Sequence, residues 1–327
     1  MAGTSIVAAI NAGMRRAMEA DPRVLLMGED IGRLGGVFRV TDGLQKDFGT
    51  DRVIDTPLAE SGIVGTAIGL ALYGFRPVVE IQFDGFVYPA FDQIVAQLAR
   101  MRYRSAGALP VPVTIRLPFG GGIGSVEHHS ESPEAYFAAT PGLRVVTCST
   151  PQDAYWMIQQ AIASDDPVIF LEPKRRYWVR GELDPSGDHV DQPPMTRARV
   201  VRPGDDCTLV CYGPTVATCL EAASLAAAEG VALEVIDLRS LSPLDMPTLE
   251  ESLRRTGRAI VVHEAAGGGG VGGEIGQRLT ESCFYHLQAP VLRVTGYDTP
   301  YPPSRIEDDY LPDADRILDA VERSMGF

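Results

Sequence analysis

The chain has 327 residues, enough for two domains that each bury a core. Its 45% hydrophobic and 22% charged residues suit an ordinary globular protein, and a formal charge of −14 argues against nucleic acid or an anionic membrane as partner, since both need a basic face. Five cysteines, at 148, 207, 211, 219 and 283, are odd in number and lack metal-ligand spacing, a reduced intracellular pattern, and no uninterrupted apolar run is long enough to span a bilayer.

Residues 5–18 have amphipathic helical spacing broken by Arg15 and Arg16, unlike a signal peptide. A cytoplasmic protein is expected, or one of the mitochondrial matrix if a transit segment was removed. Strand patterns then alternate with helical ones. Strands are expected at 24–27, 77–83, 111–117, 143–147 and 168–171. Helices are expected at 62–73, 90–105, 132–139 and 151–164. Such alternation predicts a parallel sheet with helices on both faces. A stretch rich in Pro, Gly and Asp follows, and 186–203 is expected to be a linker. A second α/β block comes after it, with strands at 208–212, 233–237, 259–263 and 291–294 and helices at 216–229, 246–256 and 273–285. Two α/β domains result, 1–185 and 204–327.

Three segments of the first domain put polar groups at strand ends, where open α/β sheets bind ligands. Glu60 opens a run in which Gly62, Gly65, Thr66 and Gly69 recur at helical spacing, so a carboxylate enters a helix whose one face can approach another backbone closely. The helix dipole alone would favour an acid there. Buried, the same carboxylate is costly unless something is bound to it. Gln82 and Phe86 lie where an extended stretch turns into a helix. A glycine loop at 119–124 leads to His128 and His129, two of the five histidines, and adjacent imidazoles after such a loop point to proton transfer.

Taken in order, Gly28-Glu29-Asp30, Gly35-Gly36, the Glu60 segment, EIQF at 80–83, FDQIV at 91–95, His129-Ser130, EPK at 172–174, Asp237-Leu238-Arg239 and Pro243-Leu244-Asp245 resemble the β-subunits of thiamine-diphosphate-dependent 2-oxo acid dehydrogenases. These proteins belong to the transketolase-like group. The resemblance runs over nearly the whole chain. It implies a pyrimidine-binding domain followed by a transketolase C-terminal-type domain.

It further implies that Glu60 hydrogen-bonds the aminopyrimidine of thiamine diphosphate, whose imino form then takes the proton from the thiazolium carbon. Phe86 would lie against the pyrimidine, with Leu58 and Gln82 lining the pocket. His129 would orient or protonate groups as the acyl unit passes to a lipoyl sulfur. Many relatives carry His-Ser-Gln where this chain has His129-Ser130-Glu131, so Glu131 is expected to raise the pKa of a nearby imidazole. Backbone oxygens near Val111, Val113, Thr114, Ala161, Ser164 and Asp166 would hold a potassium ion.

Relatives bind the cofactor's diphosphate through Mg²⁺ with Gly-Asp-Gly followed by Asn, and this chain has no Gly-Asp-Gly. The Mg²⁺ side of the site is therefore expected on an α-subunit, in an α2β2 heterotetramer that also meets a lipoyl-bearing dihydrolipoamide acyltransferase core. Glu307, Asp308, Asp309 and Phe327 are candidates for that docking, although acids in a solvated turn need no partner. EIQFDGFVYPAFDQI and EPKRRYW look closer to branched-chain enzymes than to pyruvate-specific ones, with a pyruvate or acetoin dehydrogenase β-subunit as the alternative, since these share most of the same motifs. Two readings of other classes remain. One is a scaffold that only docks partners. The other is a nucleotide-binding module, because Gly268, Gly270 and Gly273 follow an apolar strand with Asp298 downstream.

Overall fold

The computed structural model describes residues 3–327, so the first two residues of the expected first domain lie outside it. Its larger sheet has seven strands in the order Ser240–Ser242, Arg144–Thr147, Val168–Pro173, Thr114–Phe119, Arg76–Glu80, Val24–Gly28 and Val53–Asp55. All neighbours are parallel except Ser240–Ser242, which runs antiparallel to Arg144–Thr147. Successive strand residues feed opposite faces. Leu26, Val78 and Val146 belong to the core layer of the helices Ile6–Ala20 and Pro151–Ala163, whereas Met27, Val79 and Val145 belong to the opposite layer, which takes in Glu60–Leu72. That two-sided burial explains why these strands read as continuous apolar runs.

The second sheet has the order Leu292–Gly296, Ala259–Ala266, Cys207–Cys211, Leu233–Asp237 and Arg199–Arg202, with only the last strand antiparallel. Cys207, Leu209 and Cys211 share one face beneath the helix Thr215–Ala228. The other face, with Val210 and Ile236, joins the core of the first sheet, so one apolar layer runs between the two halves.

Three departures from the sequence pattern have physical causes. The strand Arg199–Arg202 falls inside the stretch expected as a linker, because RVVR is an edge strand without apolar alternation. The expected helix at 90–105 is a π-helical stretch over Gln93–Leu98 and an α-helix over Ala99–Arg104, with a 3₁₀ turn over Asp84–Ala90 leading into it. Pro89 inside that turn denies it one backbone donor. The strands Val53–Asp55 and Ser240–Ser242 are three residues each, too short to show a period. Among the described residues, no helix is long and apolar enough to cross a membrane.

Candidate active site

Strand register sets the site's position. Asp55, Gly28, Glu80 and Arg116 form one row across four parallel strands. Whatever follows the first three leaves the sheet at its carboxyl edge, where ligands bind in open α/β folds. Glu29 comes directly after Gly28, and Gln82 two residues after Glu80. Beyond Arg116 the strand runs to Phe119 and the glycine loop. Gly28 has to be small here, since a Cβ would lie 2.9 Å from the Glu80 carbonyl.

Glu60 is the first residue of its helix and is 8% exposed, and no side chain caps that end. The free backbone N–H groups of the first turn favour its carboxylate. Glu29 lies close by. Burial, then Glu60, then Asp30 push its carboxyl above the usual range, and its Oε1 is buried without a partner among the described residues. The Gln82 amide donates to the Glu29 carbonyl at 3.5 Å. Sequence reasoning quoted Glu29 in a motif but gave it no role.

Aromatic rings continue the cluster. The Phe86 ring is 5.0 Å from His129 and Phe83 is 4.3 Å from it, with His128 at 4.3 Å on another side. Burial, His128 and Lys174 lower the His129 pKa, which keeps the imidazole neutral near pH 7. Its Nδ1 is buried and unpartnered among the described residues. The expectation that Glu131 raises a neighbouring imidazole's pKa is not met: the Glu131 carboxylate accepts from the Tyr88 hydroxyl at 2.6 Å. Leu58 stands apart from the cluster, 78% exposed.

The glycines around the histidine turn are there for close approach. A Cβ on Gly85 would lie 2.3 Å from the His128 carbonyl. Gly85→Ala is therefore expected to push the Glu127–His129 turn aside and lower kcat by about 10²-fold, the scale of an ångström misplacement, and to lower the melting temperature as well, because the obstacle is backbone. Unchanged kcat would detach this contact from catalysis.

The loop before the turn is held from the second half of the chain. Glu307 accepts from the Gly122 and Gly124 amides, both at 2.9 Å, and from the Tyr301 hydroxyl at 2.7 Å, while Glu264 takes the Gly121 amide. Glu307 is thus buried in the fold and is not a docking acid; Asp308 and Asp309 remain exposed.

The second glycine cluster has a structural use. A Cβ on Gly272 would meet the His263 imidazole at 2.6 Å, and the same ring accepts the Gly272 amide at 3.3 Å. Burial keeps His263 neutral, its pKa lowered to about 4. The Gly268 amide donates to Asp298 at 2.7 Å. The Gly268 amide and the acid that a dinucleotide would need are thus engaged with each other.

The segments expected to hold potassium adjoin: the Val111 amide donates to the Asp165 carbonyl at 3.0 Å, and Ser164 Oγ to the Asp166 carbonyl at 3.0 Å. Arg102 and Arg144 take the Asp166 carboxylate at 2.6 and 2.7 Å, which leaves backbone oxygens as the ligands a cation would find. Among the described residues, no group of three or more His, Cys, Asp and Glu side chains is arranged to hold a metal ion.

A carboxylate at a helix start, an unpartnered acid, an amide and an aromatic–histidine wall suit a flat, nitrogen-bearing ring. The parallel sheet that carries this cluster at its carboxyl edge is of the transketolase-like class. The family model "Transketolase, pyrimidine binding domain" matches residues 3–178, and "Transketolase, C-terminal domain" matches 196–317. A pyruvate dehydrogenase E1 component subunit beta of Leifsonia xyli subsp. xyli is 59% identical, covering 98% of this chain and 95% of the relative. A 3-methyl-2-oxobutanoate dehydrogenase subunit beta of Mycobacterium tuberculosis is 55% identical, covering 98% and 91%. The fold also matches a solved split gene transketolase, an inactive beta4 tetramer, with a TM-score of 0.80 at 23% identity and 99% of both chains covered. The chain belongs to the β-subunits of the thiamine-diphosphate-dependent 2-oxo acid dehydrogenases.

Proposed function

We propose that this chain is the β-subunit of the decarboxylating component of a cytoplasmic branched-chain 2-oxo acid dehydrogenase complex. It would oxidatively decarboxylate a 2-oxo acid and reductively acylate the lipoyl group of a dihydrolipoamide acyltransferase core. The supporting observation is the turn Ile81–Phe86, which joins the Glu29–Glu60 acid cluster through Gln82 to the histidine wall through Phe86. A pure scaffold has no need of such an arrangement. The first domain would cover 1–185 and the second, placed at 204–327 by the sequence pattern, would also take in the strand Arg199–Arg202, which shortens the linker expected at 186–203.

Bound thiamine diphosphate would supply the carbon nucleophile that attacks the 2-oxo acid. Glu60 would accept a hydrogen bond from the pyrimidine ring, Gln82 and Leu58 would line its edge, and Phe86 its face. Neutral His129, with Nδ1 free, would orient groups by hydrogen bonding and accept a proton, which the imidazolium so formed could return, where the acyl group leaves for the lipoyl sulfur. Mg²⁺ would sit on the α-subunit side, and a potassium ion on the backbone oxygens near Val111, Val113, Thr114, Ala161, Ser164 and Asp166. An α2β2 assembly would cover exposed Leu58 and the open face of the helix Glu60–Leu72, where a Cβ on Gly69 would meet nothing within 4 Å.

The 59% identity to a relative named for pyruvate favours a second reading, a pyruvate dehydrogenase β-subunit. Reconstitution with an α-subunit, assayed with 3-methyl-2-oxobutanoate and with pyruvate, separates the two. We expect kcat/KM to favour the branched substrate by about 10-fold or more, the discrimination an apolar pocket achieves for extra methyl groups. Preference for pyruvate would establish the second reading instead.

A further inference from the structure

We infer that Lys174 and Asp84 form a buried positioning pair that holds the His129 turn in register for acyl transfer. The inference rests on the proposed role of His129 in that transfer. Lys174 follows the strand Val168–Pro173, Asp84 opens the 3₁₀ turn after the strand Arg76–Glu80, and both side chains are fully buried. Lys174 Nζ donates to Asp84 Oδ1 and also to the His129 carbonyl at 2.5 Å. Asp84 Oδ2 accepts the Glu131 amide. The pair therefore grips the backbone on both sides of Ser130, one group at the carbonyl before it and one at the amide after it.

Phe83 ties the pair to the imidazole itself, its ring lying 5.5 Å from Lys174 Nζ and 4.3 Å from the His129 ring. Stability is a poor reason for such a pair, because removing two charges from water costs more than packed apolar groups would. Burial pushes the Asp84 carboxyl up, to about 7, and the Lys174 ammonium down, against their mutual attraction. What the pair provides is direction: a compact cation with three donors and a carboxylate with two acceptors fix two backbone groups at once. Around His129, Lys174 and His128 disfavour the imidazolium and Glu127 favours it, while Glu264 and Glu131 favour the Lys174 cation.

The test uses the assembled α–β enzyme with Lys174→Met, Asp84→Asn/Lys174→Met and His129→Ala. Two rates are compared: decarboxylation read with an artificial electron acceptor, and acyl transfer to free lipoamide. Lys174→Met should lower transfer by about 10-fold or more while decarboxylation falls less than about threefold, the selectivity expected when one proton-transferring group is misplaced. The pH limb that disappears in His129→Ala should move to higher pH once the neighbouring cation is gone. The double variant, which leaves no lone buried charge, should keep both effects and carries the test if the single variant does not fold. Parallel loss of the two rates, or an unmoved limb, with His129→Ala still selective for transfer, overturns the pair alone. Equal loss of both rates in His129→Ala overturns the role of His129 and the inference with it.

Discussion

Replacing Glu60 by Gln is expected to lower turnover of the assembled enzyme by about 10²- to 10⁴-fold, the range for losing positioned acid–base chemistry. The amide keeps the shape of the side chain and removes the charge. Glu60 stands at a helix start whose first-turn N–H groups stabilise an anion, beside Glu29, whose proton affinity its charge helps to raise. A neutral amide in that place no longer attracts a ring proton, and its own NH₂ brings a donor where an acceptor is required. Assembly and melting temperature should change little, because the side chain ties no other element of the chain down. Steady-state kinetics beside size-exclusion chromatography of the assembled enzyme give the answer. Near-normal turnover would remove the proposed mechanism.

The second large effect is on stability. Arg116 is almost fully buried, with Nη1 on Glu80 at 2.5 Å and Nε and Nη2 on Glu172 at 2.6 and 2.9 Å. Tyr177 donates to the same Glu172 carboxylate at 2.6 Å. Burial pulls the guanidinium's proton affinity down, yet Glu172 and Glu80 hold it above its ordinary value. Arg116→Met would strand two carboxylates in the sheet, and the loss is expected to be about 3–5 kcal/mol, as for other buried pairs broken on one side. Urea unfolding should show it as a lower midpoint with an unchanged slope. Arg116→Met/Glu80→Leu/Glu172→Leu should regain much of that loss, because an apolar trio leaves no unpaired charge. A single variant as stable as wild type would mean that water reaches these carboxylates.

Much of this arrangement was legible in the sequence. The apolar runs at 24–27 and 168–171 are buried on both faces and could hardly be anything but central strands. The small residues after Glu60 marked a helix start, and the glycines before His129 marked a loop that must yield to its neighbours. Other parts left no local trace. Glu307 looked like one of three acids in a turn, because the amides it holds, on Gly122 and Gly124, lie 185 and 183 residues away. Lys174 read as part of a motif without a task, since its partners Asp84 and His129 meet only when two strands and a loop converge. Asp237-Leu238-Arg239 likewise gains its meaning across the halves: Ser149 donates to Asp237 at 2.5 Å, and Arg239 lies 3.3 Å from Asp153. Leu58, named for the pocket, is the reverse case. Nothing within one chain covers it, and residues recognised from a shared site need not meet in one subunit.

The strand Ser240–Ser242 has a practical consequence. It closes the edge of the first sheet with residues drawn from the second half, so the two halves of the gene product are not separable modules. A fragment ending near residue 185 would expose Arg144–Thr147 as a bare edge ready to pair with other chains. Cleavage within 182–194 should accordingly give a nicked protein that stays associated under native conditions. The same fragments expressed separately should aggregate, or recover only when refolded together.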